Sequence, residues 1–516
     1  MNDLVEVRAG VYHDSVSLMR VSQALTGRAG VTVAIVAMAT ELNVELARDV
    51  GFAVPAATAG DLLVAIRASS EEELGAAAAE LERQLAAKAS GGGAEAGAAL
   101  PRTTRSAARS WDATVALVSV PGEHAFVEAA DAVEAGLSVM IFSDNVPVEQ
   151  EIQLKERARA KGVLVMGPDC GTAVIGGAGL GFANVLRPGP VGVVAASGTG
   201  AQQVSSLLDL AGVGVSHLLG VGGRDLSAEV GGRSAVQALR ALDADPATEL
   251  IVLISKPPAP EVAAAVRDLG LSKPLVAALL GPGQDDLTTT AEKVLGALGR
   301  EIPEWPSWPA EQPDGDEQPG TQQPGREQPG IAHSGAGQSG AGQSDGFEQA
   351  DGRGQADGRG QAGGRGQAGG APSGGGVLRG LYSGGTLCTE AALIALAGGD
   401  VSGEFTDFGD DEYTRGRAHP MIDPALRLEA LAAVGSGVVL LDVVLGHGAD
   451  PDPSAWLAPA IGDARARGVA VVVALVGTDG DPQGLRAQAA RLNSAGAAVF
   501  TSNAAAARHA RHLASA

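Results

Sequence analysis

Short uninterrupted aliphatic runs, each separated from the next by a stretch of helical period, recur from about residue 106 to the end of the chain. They read Ala113–Val120, Ser138–Ser143 and Val163–Met166, then Val191–Ala195, His217–Val221, Leu250–Ser255 and Pro274–Leu280, then Leu378–Tyr382, Val438–Val444, Val469–Leu475 and Ala498–Phe500. A strand with water on one face alternates apolar and polar residues; these do not, so both their faces are covered. Separated by helices such as Glu123–Ala135 and Val148–Lys161, they build parallel sheets, which predicts a multidomain α/β protein. Sheets of this kind bind ligands beyond the C-terminal ends of their strands.

The residues at those ends are small or polar. The first block offers Pro121, Ser143 and the run Gly167-Pro168-Asp169-Cys170; the second offers Ser197-Gly198-Thr199-Gly200, Gly222-Gly223-Arg224-Asp225 and Lys256-Pro257-Pro258; the third offers Ser383-Gly384-Gly385-Thr386 and Gly446-His447-Gly448. Ser197–Gly200 stands between a strand and a helix read from Gln202 to Leu210, where unpaired amides and the helix dipole favour an anion. The Ser197 and Thr199 hydroxyls either donate to that anion or cap the helix. Lys256, stiffened by two following prolines, is a candidate phosphate ligand. Cys170 reads as a functional thiol or as a small buried hydrophobe. His447 reads as an acid/base or phosphate-contacting imidazole, or as an exposed loop histidine. Arg224 either pairs with Asp225 or presents its planar fork to a substrate carboxylate. The segment from Asp407 to Asp423, with Asp410, Asp411, Arg415, Arg417 and His419, holds the densest set of ionisable groups in the patterned chain, and a solvated loop is its plain reading.

Charge narrows the partners. Sixty acidic against 37 basic residues give a formal net charge of -23 without any Lys/Arg cluster, which argues against nucleic acid and against an anionic membrane surface. No apolar run approaches the roughly eighteen residues of a membrane span, and the first residues lack the charge and apolar core of a signal peptide. Cys170 and Cys388 lie in different blocks with no Cys/His ligand spacing, so neither a disulfide framework nor a metal site is expected. A reduced, cytoplasmic setting and a small-molecule substrate follow as expectations.

Five regions emerge. Residues 1–105 form a small α+β domain of ferredoxin-like pattern (strands Val5–Tyr12, Val31–Met38 and Leu62–Ile66; helices Ser15–Leu25, Glu41–Val50 and Glu71–Leu85) followed by a Gly/Ala spacer. Residues 106–187 and 188–300 are the first two parallel units, and 377–516 the third. Between them, 301–376 repeats Gln-Pro-Gly and then Asp-Gly-Arg-Gly-Gln in a composition that cannot build a core, and it reads as a disordered linker.

The order of motifs carries a family resemblance. Val118-Ser119-Val120-Pro121, Met166–Gly171, Gly192–Thr199 and Gly220–Gly223 resemble the α subunit of succinyl-CoA synthetase, and 377–516 is similar to the last domain of its β subunit. The wording Phe182-Ala183-Asn184, Gly222–Leu226, Ser255–Pro258 and His419–Pro424 is similar to the FdrA family of acyl-CoA synthetase-like proteins. The resemblance implies a Rossmann-like CoA-binding domain at 106–187, with Pro121, Ser143, Gly167, Pro168, Asp169 and Cys170 toward coenzyme A, and two flavodoxin-like ligase domains at 188–300 and 377–516. It also implies a phosphate or acyl phosphate held between two helix N-termini, supplied by Ser197, Gly198, Thr199 and Gly200 on one side and Gly446 and Gly448 on the other, with His447, Lys256 and Arg224 as catalytic candidates. The chain departs from the synthetases in three places. The stretch matching their phosphohistidine loop, Ala277–Asp286, has no histidine; Lys256 falls where they carry a supporting glutamate; and no segment remains for an ATP-grasp domain. Partner subunits and a homo- or hetero-oligomer are therefore implied. So is an alternative activity known for FdrA-type proteins, carbamoyl transfer between oxalurate and phosphate (oxamate carbamoyltransferase) in allantoin catabolism.

Overall fold

A computed structural model describes residues 2–11, 13, 15–89, 101–310, 377–414 and 417–516. The spacer from 90 to 100 and the repeats from 311 to 376 lie outside the described residues. Among the described residues no helix is long and apolar enough to cross a membrane.

The N-terminal region is a three-stranded antiparallel sheet in which Leu62–Ala68 lies between Asn2–Arg8 and Val31–Met38, with helices Ser15–Thr26, Glu41–Asp49 and Glu71–Ala89. The first strand begins earlier than its apolar run suggests, because polar residues also pair: Arg67 holds Asp3 by two hydrogen bonds of 2.8 and 2.7 Å. Next come three parallel strands, Val115–Val118, Ser138–Ile141 and Val165–Met166, covered by helices Gly122–Glu134 and Val148–Lys161.

Each of the two remaining units is built on a parallel sheet. In the first, Pro188–Ala196 is central, flanked by Val215–Gly220 on one side and by Leu250–Ser255 then Leu275–Leu279 on the other. A hairpin, Thr172–Ile175 and Ala178–Gly181, extends its edge antiparallel; Gly176 and Gly177 turn it, both with positive φ (56° and 86°). In the second, Leu378–Tyr382 lies between Gly403–Asp407 and Val438–Val444, followed by Ala470–Val476 and Ala498–Phe500. Both follow the doubly wound order 2-1-3-4, whose switch point lies between first and third strands. Order also extends past residue 301: Ser307–Trp308 pairs antiparallel with Val499 and Phe500. Trp305 packs on the core and donates its indole N–H to Glu292 at 3.0 Å. The tryptophans supply the apolar area that the following repeats lack.

The two sheets share one core. Helices Gly198–Leu210 and Leu287–Ala297 of the first unit pack on Gly385–Ala395 and Asn503–Ser515 of the second, and a single apolar cluster runs from Val174 through Val204, Leu207 and Leu387 to Ala506 and Ala510. Being covered on both sides, the 198–210 helix buries every residue from Gly200 to Asp209, Gln202, Gln203, Ser205 and Ser206 included. Of these, Gln203 is satisfied across the layer: its Nε2 donates to the Thr501 carbonyl at 3.0 Å and its Oε1 accepts the Asn503 amide at 3.0 Å. Glu390 accepts the Leu287 amide and the Asn503 side-chain amide, both at 2.6 Å. Desolvation raises the Glu390 carboxyl to about 7, against the pull of those two donors.

Candidate functional site

The switch points of the two sheets face each other. At the first stand Ser197–Gly200, after the central strand, and Lys256, after Leu250–Ser255. At the second stand Ser383–Thr386, after Leu378–Tyr382. Ser197 caps its helix by accepting the Gly200 amide at 3.0 Å, and its hydroxyl donates across the joint to Thr386 Oγ1 at 2.6 Å. The helix beginning at Gly385 has no side-chain cap. A methyl group on Gly384 would lie 2.7 Å from Thr199 Oγ1, and one on Gly200 would lie 3.1 Å from Thr386 Cγ2. Small residues are thus what lets the two helix ends approach. Among the described residues nothing accepts from the amides of Gly198, Thr199, Gly385 or Thr386, so four donors and two dipoles converge on one place.

The second helix of this clamp is therefore the one at Gly385, and the expectation that Gly446 and Gly448 supply it is corrected. No helix starts at 446–448; the next begins at Pro453. Those glycines, with φ of 114° and 87°, admit the backbone of 181–184: a Cβ on Gly446 would meet the Ala183 carbonyl oxygen at 2.5 Å, and one on Gly448 the Gly181 oxygen at 2.9 Å. His447 spends its backbone on Ala183 (its amide donates at 2.8 Å, its carbonyl accepts at 3.2 Å) and its side chain is exposed. Alongside, Asn184 Nδ2 donates to the Leu445 carbonyl at 3.0 Å and to Asp481 at 2.8 Å. The Gly446–Gly448 loop joins the two halves of the molecule.

What holds the second helix end is a residue that the pattern of apolar runs hides. Asp442 is fully buried within the strand Val438–Val444 and accepts the Ser383 amide at 2.8 Å, the Ser383 hydroxyl at 2.9 Å and the Gly384 amide at 2.9 Å. Arg427 pairs with it at 3.2 Å. Burial pushes the Asp442 carboxyl up, and Arg427 and the three donors oppose the shift. By occupying the two preceding amides, Asp442 aims those of Gly385 and Thr386 outward.

A cavity of about 580 Å³ opens beside this helix, lined by Lys256 and Asp407 at the Gly385 end and by Cys388, Leu393, Leu396 and Phe405 along its wall. The position of a Gly385 Cβ lies 2.2 Å from Asp407 Oδ2 and 2.8 Å from Lys256 Nζ, which puts both groups at the helix end. Among the described residues Lys256 has no ion-pair partner within 4.0 Å. Burial raises the Asp407 carboxyl, with the Gly409 amide (2.9 Å to Oδ1) and Lys256 pulling the other way. His419 Nδ1 accepts the Met421 amide at 3.2 Å, which leaves the ring proton on Nε2, and Nε2 faces the 407–409 loop. Burial and Arg427 lower its pKa to about 4, so the ring is neutral at physiological pH. The segment read as a solvated loop thus turns two of its members, Asp407 and His419, inward; Arg417 is exposed, and Arg415 lies outside the described residues.

The residues expected to face coenzyme A do gather at one sheet edge. Ser143 donates to the Val120 carbonyl at 2.5 Å and accepts the Asp169 amide on its own carbonyl at 3.0 Å. Asp169 takes a left-handed φ of 56°, and a Cβ on Gly222 would meet the Pro168 oxygen at 2.4 Å. The helices after Pro121 and Pro147 have no side-chain cap, which suits the phosphates of a nucleotide-like ligand. Cys170 is the exception. Its thiol is 2% exposed, donates to the Gly220 carbonyl at 3.4 Å, and is raised by burial to about 12, so the functional-thiol reading gives way to the buried hydrophobe. Arg224 does not pair with Asp225 either: it donates to the Val146 carbonyl at 2.7 Å and meets Glu151 at 3.0 Å. Asp225 instead shares Lys155 with Glu151, both at 2.7 Å, in a fully buried triad.

Two segments of the chain match known families. Residues 381–513 match the family described as CoA-ligase, and residues 1–101 match the one described as AllF, heavy metal-associated domain. That first segment contains no cysteine, and among the described residues no group of three or more His, Cys, Asp or Glu could hold a metal ion. The uncharacterized protein YahF of Escherichia coli strain K12 is 35% identical over 98% of this chain and 97% of its own length. Subunit alpha 2 of succinate–CoA ligase [ADP-forming] from Archaeoglobus fulgidus is 30% identical over 38% of this chain and 67% of its own length. Subunit alpha of malate–CoA ligase from Methylorubrum extorquens is 26% identical over 37% and 67%.

Proposed function

The chain belongs to the family of Escherichia coli YahF, and from that premise we propose that it moves an acyl group between phosphate and the thiol of coenzyme A. The observation that carries this reading is the pair of opposed helix ends at Gly198 and Gly385, with four free amides and Lys256 beside them. An acyl phosphate held there presents its carbonyl carbon to a thiol arriving from the edge formed by Pro121, Ser143 and Gly167–Asp169. The sulfur adds to that carbon, the C–S bond forms as the C–O bond to phosphate breaks, and the thiol proton leaves on the phosphate. The helix ends and Lys256 offset the charge that collects on the departing group. We read the chain as FdrA-like within this family on its Phe182–Asn184, Ser255–Pro258 and His419–Pro424 wording, and as working with partner subunits that supply its acyl phosphate.

The test is direct. Inorganic phosphate and coenzyme A are titrated separately into the full-length protein by calorimetry, and acyl phosphate plus coenzyme A is then assayed for thioester. Binding of both with thioester formation is expected; coenzyme A failing to bind would remove the acyl-transfer reading. Carbamoyl transfer to phosphate is the alternative, and oxalurate with phosphate is its assay, but the apolar wall beside Gly385 favours a longer acyl chain.

A further inference from the structure

We propose that the cavity along the helix Gly385–Ala395 selects the acyl group, and that the group it selects is an uncharged aliphatic chain. This rests on the acyl-phosphate reading and specifies its substrate class. The cavity has two unlike ends. At Gly385 lie Lys256, Asp407 and the open helix N-terminus, a place for the phosphate or carboxylate head. Away from it the wall is Cys388, Leu393, Leu396 and Phe405, with Ala392 and Ala397 leaving room between them. Lys256 is the one cation in the lining, and it stands at the head. A dicarboxylate would set its second charge against leucine, alanine and phenylalanine, where the Thr389 hydroxyl is already given to the Gly385 carbonyl at 2.8 Å, so that charge loses its water without gaining a donor. An aliphatic tail of the same length gains instead, at about fourfold in affinity for each methylene covered. Phe405 is itself fixed by stacking on Tyr382, centroids 6.4 Å apart, and by the missing side chain of Gly380, whose Cβ would fall 2.2 Å from its ring. The wall is therefore preformed.

The experiment measures by calorimetry the affinity of the full-length protein for inorganic phosphate, for acetyl, butyryl and hexanoyl phosphate, and for succinate against hexanoate. Expected is a rise of about fourfold per methylene along the acyl series, with hexanoate binding tighter than succinate. The Ala392→Phe variant, which fills the cavity away from the head, should flatten the series while leaving inorganic phosphate unchanged. Phosphate binding with a flat series in the wild-type protein, or with succinate preferred, overturns this inference and leaves the acyl-phosphate reading standing. Absence of phosphate binding overturns the acyl-phosphate reading, and this inference with it.

Discussion

The bond between Ser197 and Thr386 spans 189 positions of sequence and ties the two helix ends together, so it tests whether they meet in solution. Ser197→Ala removes two interactions at a site only 8% exposed: the cap on the Gly200 amide, worth about 1 kcal/mol, and the donated bond to Thr386, worth about 1 kcal/mol more. The sum of about 2 kcal/mol corresponds to a fall of roughly 4–8 °C in melting temperature for a unit of this size. Thr386→Val keeps the shape, removes the acceptor and costs about 1 kcal/mol. If the hydroxyls touch, the double variant repeats only part of the two losses, and a four-protein cycle read by calorimetric unfolding returns a coupling of about 1 kcal/mol. Strict additivity, within about 0.3 kcal/mol, would mean that the two helix ends do not oppose each other, and the clamp would have to be abandoned.

Three further outcomes are expected. Cys170 and Cys388, both raised to about 12 by burial, should resist alkylation in the folded protein at pH 8 and react once it is unfolded; fast labelling of either would contradict its placement. The Glu390 carboxyl, raised from 4.5 to about 7, favours its protonated form in the fold, so the stability it contributes is present below pH 4.5 and is lost as pH rises toward 7. A shift of that size is worth on the order of 3 kcal/mol, and Glu390→Gln should flatten the fall in melting temperature between pH 5 and pH 8. Lys155→Met leaves Glu151 and Asp225 buried without their shared cation and should cost about 3–5 kcal/mol, seen as a lower urea midpoint; an unchanged midpoint would show that the triad is solvated.

The parallel sheets, and the Ser197–Gly200 helix end among them, are legible because uninterrupted aliphatic runs have few other uses. Lys256 is legible for the same reason, being the charged residue that ends such a run. The partner of Ser197 is harder to choose, since Ser383–Thr386 and Gly446–Gly448 are both glycine-rich strand ends. They differ in the fold, where one opens the helix at Gly385 and the other receives the backbone of residues 181–184. Asp442 hides inside an aliphatic run, where one acidic residue looks like noise until its three hydrogen bonds are seen. Asp407 and His419 hide in the opposite way: a dense cluster of charges reads as solvent-facing, and nothing local tells which two of its members turn inward. The strand Gly403–Asp407 is hidden as well, because Glu404 and Asp407 break the aliphatic pattern.

The helical layer that the two ligase-like units share bears on traffic through the site. Because helix 198–210 is buried along almost its whole length between two sheets, parting the clamp means breaking a continuous core, not turning a hinge. On the acyl-phosphate reading, a phosphate-bearing ligand would therefore come and go sideways, past Lys256 and the 407–409 loop, with the two helix ends held together. Substitutions at Lys256 or in the 407–409 loop should then change the exchange rate of such a ligand more than substitutions at the helix ends do.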